Sequence, residues 1–296
     1  MAIGLGIMFG IRLPLNFNSP YKSSSIIEFW QRWHMTLTRY LTLLLYNPLA
    51  LWVARRRQRA GQSSGKQAAA TPLGFASLVM FPTVTTMFLA GLWHGAGLQF
   101  IIYGVLHAVY LSVNHAWRIF RKPPPKVPTG GWVVRTWSVV WPVVITYLAV
   151  LVAQIFFRAN SVDDAVGLLA GMVGYHGSGF PLIVPPNNAA LLGPLAQPLA
   201  DLGVIAVGLR HAYDEITRPL AVGWSIDLAL IAIVLCTPNV YQIVEKWSPA
   251  LTSVKPSGWK WLKWQPSMAW ALGIAVLMFL AAQRFDASAR FLYFQF

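Results

Sequence analysis

The chain has 296 residues, 56% of them hydrophobic and only 11% charged, with a mean hydropathy of +0.53. Soluble domains carry about 25% charged residues, so an ordinary soluble domain is excluded and a membrane protein is indicated. Lys and Arg number 23 against 9 Asp and Glu, a net charge of +14. In a soluble protein that balance would suggest nucleic acid. Here the basic residues cluster between apolar segments, as expected of loops held at an anionic cytoplasmic leaflet, and a nucleic-acid partner is set aside. The single cysteine, Cys236, lies in an apolar stretch, which excludes an intrachain disulfide and a thiolate metal cluster.

In chain order, Met1–Ile11 is apolar but short, lacks a basic leader and runs into Arg12 and Pro14, unlike a secretory signal. Apolar segments predict spans at about 38–54, 73–93, 97–115, 137–157, 222–238 and 266–283, since crossing a hydrocarbon core takes about 20 mostly apolar residues. Segment 73–93 contains Pro82, tolerable in a membrane helix when neighbours satisfy the freed carbonyl. The stretch 187–209 is interrupted by Pro194, Pro198 and Asp201 and reads as re-entrant or interfacial. Arg55, Arg56, Arg57, Arg59 and Lys66 form one basic loop, and Arg118, Arg121, Lys122, Lys126 and Arg135 a second. An even number of crossings between them places both in the cytoplasm. With 187–209 not spanning, Lys246, Lys255, Lys260 and Lys263 are cytoplasmic too. Gln58–Thr71 and the Pro-rich Lys122–Pro128 read as flexible or extended loops.

Polar side chains inside or beside apolar segments are functional candidates. His94 sits in Gly91-Leu92-Trp93-His94-Gly95-Ala96-Gly97 between two apolar segments, where glycines let the backbone bend or a substrate approach. A buried imidazole tends to stay neutral, the form that accepts a proton; the alternative is a hydrogen-bonded histidine at a hairpin turn. His34 follows Glu28-Phe29-Trp30-Gln31-Arg32-Trp33. The aromatics there recur at helical spacing, which alone suggests an amphipathic helix at the interface. Glu28 and Arg32 are placed to pair at i, i+4. His107 and His115 share a helical stripe with Tyr103 and Leu111, read as a polar stripe facing the bundle interior rather than a metal pair. No metal site is expected. No P-loop, dinucleotide fingerprint, nucleophile elbow or zinc-protease motif occurs.

Five ordered blocks carry a resemblance: Leu15-Asn16-Phe17-Asn18-Ser19-Pro20-Tyr21; Glu28 to His34; Gly91-Leu92-Trp93-His94-Gly95-Ala96 with Tyr103-Gly104-Val105-Leu106-His107; Phe156-Phe157-Arg158-Ala159; and Phe291-Leu292-Tyr293-Phe294-Gln295-Phe296. Together they resemble the membrane-bound O-acyltransferase family, in its bacterial alginate O-acetyltransferase-like branch. The resemblance implies an all-α polytopic membrane protein, a single domain over 1–296 in which helices and re-entrant segments surround a tunnel. It implies His94 as the catalytic histidine and His34 as the second, with Trp93, Trp33, Arg32, Tyr103 and His107 as tunnel-lining candidates. No bound cofactor is implied. The resemblance also implies a multi-pass protein of the bacterial inner membrane, with acetyl-CoA or another acyl thioester as donor, a polysaccharide hydroxyl as acceptor, and a periplasmic acetyltransferase as partner.

Two departures stand out. Where the family has an Arg-Asp pair before Tyr-Leu-Tyr, this chain has Tyr40-Leu41-Thr42-Leu43-Leu44-Leu45-Tyr46, a divergence that leaves alginate-like exopolysaccharide as the first expectation for the acceptor and peptidoglycan or teichoic acid as the alternatives. The resemblance also begins near the middle of the family's usual length, so a late start site or a fragment is expected, and with the latter a non-catalytic or transport-like subunit.

Overall fold

The computed structural model describes residues 2–121, 131–175, 182–184, 194, 205–207 and 210–283. Lys122–Pro128, His176, most of the 187–209 stretch and the closing 291–296 block therefore lie outside the described residues, as does the His211 side chain. The chain divides into two compact units, one of 19–235 and one joining 1–18 to 236–296.

The larger unit begins at helix α2, Ile26–Arg32, after a first helix α1, Ala2–Met8, in the smaller one. Ser25 caps α2 by accepting from the Glu28 N–H over 3.2 Å, and Glu28 turns back to accept from both the N–H and the hydroxyl of Ser24 at 2.8 Å. These local bonds satisfy donors that a helix start leaves open. The expected pair forms, Arg32 Nη2 lying 2.6 Å from Glu28 Oε1. The expected single interfacial helix does not. Phe29 is 1% exposed and Trp30 also buried, so the aromatic stripe faces protein rather than lipid headgroups, and the helix stops at Trp33. Helix α3, Met35–Leu41, restarts beyond His34.

α3 runs through a π-helical turn, Thr42–Tyr46, into α4, Asn47–Arg59. After short helices α5, Lys66–Ala69, and α6, Pro72–Phe75, a second π-helical turn, Ala76–Met80, leads into α7, Phe81–His94. Each widened turn ends two residues before a proline, Pro48 or Pro82. Proline has no N–H and its ring collides with the carbonyl four residues back; the π turn relieves that collision while the helix continues. Hydroxyls of Tyr46 and Thr83 hydrogen-bond between the two runs, and Thr83 Oγ1 also donates to Val79 O over 2.7 Å. The first basic cluster is thus not a loop: Arg55, Arg56, Arg57 and Arg59 form the last turns of α4.

Helices α8, Leu98–Phe120, α9, Trp132–Arg158, and α10, Val162–Met172, complete the core. Ile26, Phe29 and Trp30 of α2 pack with Met87, Ala108 and Val150 from α7, α8 and α9. Ile155, Phe156 and Ala165 form a second cluster with Ile102, Leu106 and Leu169. Strands β1, Leu182–Val184, and β2, Ile205–Val207, pair in parallel and depart from an all-helical chain. Helix α11, Arg210–Cys236, follows. In the smaller unit α12, Val240–Ile243, is closed by a reciprocal Asn239–Gln242 capping box. Asn239 Nδ2 donates to Asn18 Oδ1 over 3.0 Å, and Leu251 N to Leu13 O over 3.1 Å, which ties the two ends of the chain together. Helix α13, Met268–Ala282, lies in the same unit.

Among the described residues, Pro72–His94 and Val134–Arg158 are long and apolar enough to cross a membrane. The other expected spans fall short of that test. Met268–Ala282 is apolar but shorter, as is Gly223–Cys236, the part of α11 whose side chains are described, and α8 carries Gln99, His107, Asn114 and His115 along its length. Trp137, Trp141, Ile145 and Leu148 on α9 are exposed, an apolar face suited to lipid.

Candidate functional site

Two glycines set the geometry. A Cβ on Gly91 would lie 2.5 Å from the Phe100 carbonyl oxygen, and one on Gly104 would lie 2.5 Å from the Met87 carbonyl oxygen and 3.0 Å from the Gly91 Cα. Helices α7 and α8 therefore cross backbone to backbone, an approach only glycine permits. The sequence suggested bending or substrate access for Gly91; its role is this close crossing. Gly95 ends α7 and Gly97 caps α8, so His94 stands at the hairpin between them.

The imidazole of His94 is surrounded by rings. Centroids lie 4.8 Å away for Trp93, 5.0 Å for Phe157 and 6.0 Å for Tyr103. Tyr103 in turn lies 5.0 Å from Phe157 and 4.6 Å from His107. Trp93 is 65% exposed and forms the outer edge of the cluster. The expected interior stripe on α8 is present, with Tyr103 and His107 buried and Leu111 packed against the first core cluster.

His107 is fully buried. Its Nδ1 accepts the indole N–H of Trp30 at 3.3 Å, which leaves the proton on Nε2, and Nε2 is buried with no partner among the described residues. The ring also stacks at 6.4 Å and 6° on Phe29, and Phe29 stacks at 5.6 Å and 16° on Trp33. Trp33 lies 6.3 Å from Tyr21. An unbroken series of rings thus joins the His94 hairpin to the start of α3.

His34 occupies that start with φ 44° and ψ 52°, the left-handed region. Few non-glycine residues adopt it, though histidine is among those that do. Burial lowers the His34 pKa below the ordinary histidine value, against an opposing hydrogen bond with its own backbone. His34 and His94, sixty positions apart, interact electrostatically. Spacing alone did not predict that meeting. Arg32 is engaged with Glu28. Residue roles missed in the sequence are Phe157, against His94 and Tyr103, and Trp30, the partner of His107. Phe157 lay in a recognised block without an assigned task, and Trp30 was read only as part of an apolar stripe. Among the described residues no three His, Cys, Asp or Glu gather as a metal site.

No protein-family profile matches the chain. Among curated proteins it is similar to the peptidoglycan O-acetyltransferase of Helicobacter pylori, 39% identical over 182 residues, 60% of this chain and 28% of that protein. It is similar to a probable alginate O-acetylase of Pseudomonas aeruginosa, 32% identical over 100% of this chain and 52% of that protein. It is also similar to the teichoic acid D-alanyltransferase of Bacillus subtilis, 29% identical over 49% of this chain and 32% of that protein. The chain spans about half the length, or less, of the curated relatives it matches. With the ordered blocks and the helical fold, these relatives place the chain in the membrane-bound O-acyltransferase family.

Proposed function

We propose that this chain is the part of a multi-pass inner-membrane O-acyltransferase that carries its two histidines, and that it moves an acetyl or other acyl group from a cytoplasmic thioester toward a hydroxyl of an exported polysaccharide. The observation that supports this most is the placement of His94 at the α7–α8 hairpin, its ring packed against Trp93, Tyr103 and Phe157, with His34 near enough to act on it electrostatically. Neutral His94 takes the proton of the acceptor hydroxyl as its oxygen bonds to the thioester carbonyl carbon. The carbon–sulfur bond breaks, and the proton passes from His94 to the departing thiolate. His34 positions the acceptor or the thioester carbonyl. In this reading Trp93 and the part-exposed Trp33 line the tunnel, whereas Tyr103 and His107, expected to line it, are buried behind that surface and back its wall, which keeps water from the thioester.

Acetyl-CoA is the proposed donor. Alginate-like exopolysaccharide is the proposed acceptor, supported by similarity along the whole of this chain to about half of a probable alginate O-acetylase, with a periplasmic acetyltransferase completing the transfer. The 39% identity to a peptidoglycan O-acetyltransferase favours a second acceptor, peptidoglycan. The test is transfer of labelled acetyl groups from acetyl-CoA in membranes carrying the full chain, with alginate or peptidoglycan as acceptor. His94→Ala should abolish transfer while insertion is unchanged; transfer equal to the parent's would end the catalytic reading.

A further inference from the structure

Between Phe29 and Val162 the sequence holds no Asp or Glu, yet 13 Lys and Arg fall in that interval. Arg32 pairs with Glu28 just outside it, but the cations of α4 have no carboxylate within twenty residues on either side in the sequence. These four arginines close α4, and the helix sorts them onto different faces. Arg57 turns toward the protein, donating to Ser77 Oγ over 3.0 Å and to Ser63 O over 3.1 Å. Arg55, Arg56 and Arg59 are exposed and, with Pro48, Leu51 and Trp52, line a groove of about 600 Å³. Among the described residues the guanidinium groups of Arg55 and Arg59 have neither a hydrogen bond nor an ion pair, and that of Arg56 lies 5.5 Å from the Trp52 ring centroid.

Trp52 and Arg56 also wall a second groove, of about 660 Å³, in which Val53, Leu73, Ala76 and Phe81 supply apolar surface. Leu73 and Phe81 are exposed there. A basic groove that shares a tryptophan with an apolar one has the profile of a single amphiphilic ligand. The positions 52, 55, 56 and 59 follow i, i+3, i+4, i+7 and so share a helix face. Tryptophan is enriched at the depth of lipid headgroups, and each arginine beside an anionic leaflet favours an acidic headgroup.

We propose that the two grooves form one binding site for an anionic phospholipid, its phosphate on Arg55, Arg56 and Arg59 and an acyl chain passing Trp52 onto Leu73 and Phe81. A free phosphate would fill the basic groove alone and leave the apolar one without a role. The site is separate from the histidine cluster and does not depend on the acyl-transfer reading.

Native mass spectrometry of the full chain, taken from bilayers of phosphatidylcholine with and without phosphatidylglycerol, tests the assignment. The parent should retain phosphatidylglycerol in preference to phosphatidylcholine. Each of Arg55→Gln, Arg56→Gln and Arg59→Gln should weaken retention about fivefold, and the three together on the order of 100-fold. Leu73→Asn should weaken it severalfold, and excess inorganic phosphate should fail to displace the lipid. Arg135→Gln, exposed on α9, controls for overall charge, and the triple Arg→Lys variant controls for folding and should hold the lipid. Loss of lipid in Arg135→Gln equal to that in the triple Gln variant overturns the proposal, as does unchanged retention in the triple Gln variant. Displacement by phosphate alone reduces the site to an anion site and overturns the lipid assignment.

Discussion

Trp30 donates its indole N–H to Nδ1 of His107 over 3.3 Å and so joins α2 to α8 inside the core. The bond fixes the imidazole tautomer and holds the ring 4.6 Å from Tyr103, one step from His94. Trp30→Phe removes the donor and leaves Nδ1 buried without its partner, an omission that costs about 1–3 kcal/mol. His107→Phe leaves the indole N–H in the same position. The double variant removes both polar groups, and its loss should be smaller than the sum of the single losses. Thermal unfolding of the detergent-solubilised chain and its three variants measures that coupling; additive losses would mean that the bond contributes nothing.

The Gly91–Gly104 crossing makes an equally direct forecast. Either alanine substitution places a Cβ 2.5 Å from a carbonyl oxygen of the facing helix, so the helices must separate. Overpacking of this kind costs about 1–3 kcal/mol. Because both substitutions force the same separation, the double variant should lose less than the sum. Gly167→Ala, where a Cβ meets nothing within 4 Å, should not destabilise the protein. The alanine series on unfolding temperature separates close approach from a general cost of replacing glycine.

Much of the helical layout was legible from apolar runs, because a helix that faces lipid must be apolar over its length. Segments 73–93 and 137–157 correspond to the helices that satisfy that rule in the structure. The break at His34 was not legible, since Phe29, Trp30 and Trp33 keep helical spacing up to the break. Their burial against Met87 and Ala108 comes from tertiary packing. The hairpin position of His94 could be read from its flanking glycines. Its meeting with His34 could not, because nothing in sixty intervening residues encodes the fold-back that the Gly91–Gly104 crossing and the α2 contacts produce. Arg55–Arg59 were misread as a loop because charge signals a boundary of hydrophobicity and α4 continues past it.

Glu28 gives a pH dependence whose sign is fixed by its surroundings. Partial burial raises its pKa, but the two hydrogen bonds from Ser24 and the Arg32 guanidinium outweigh that and hold it below 4.5. The carboxylate is thus favoured more in the folded chain than in the unfolded one. Its stabilising effect is complete above the unfolded pKa and lost as pH falls through the depressed folded value. The parent should lose unfolding temperature over that acid range more steeply than Glu28→Gln, which carries no titrating carboxyl there. Ser24→Ala should shift the loss toward higher pH. Parallel curves for the parent and Glu28→Gln would show that the Ser24–Glu28–Arg32 arrangement does not survive in solution.

His34 couples strain to function. Its left-handed backbone, φ 44° and ψ 52°, costs an L-residue roughly 1–2 kcal/mol, and a cost of that kind concentrates at functional sites. Glycine adopts this conformation freely but gains entropy in the unfolded chain, so His34→Gly should change stability by less than about 1 kcal/mol. Asparagine also tolerates the region, whereas a β-branched residue does not; His34→Val should be the least stable of the three. All three substitutions remove the imidazole, so acyl transfer should fall in each regardless of stability. The burial-lowered pKa adds a second signature. A histidine kept neutral in the folded state withdraws stability as pH falls below 6.5 toward its depressed folded value. His34→Asn should therefore unfold with a shallower acid dependence than the parent in that window. Measuring unfolding temperature across pH beside acetyl transfer separates the two roles. Transfer that tracks stability across Gly, Asn and Val would make His34 a structural residue only, whereas loss of transfer in the stable Gly and Asn variants would give the imidazole its part in the chemistry.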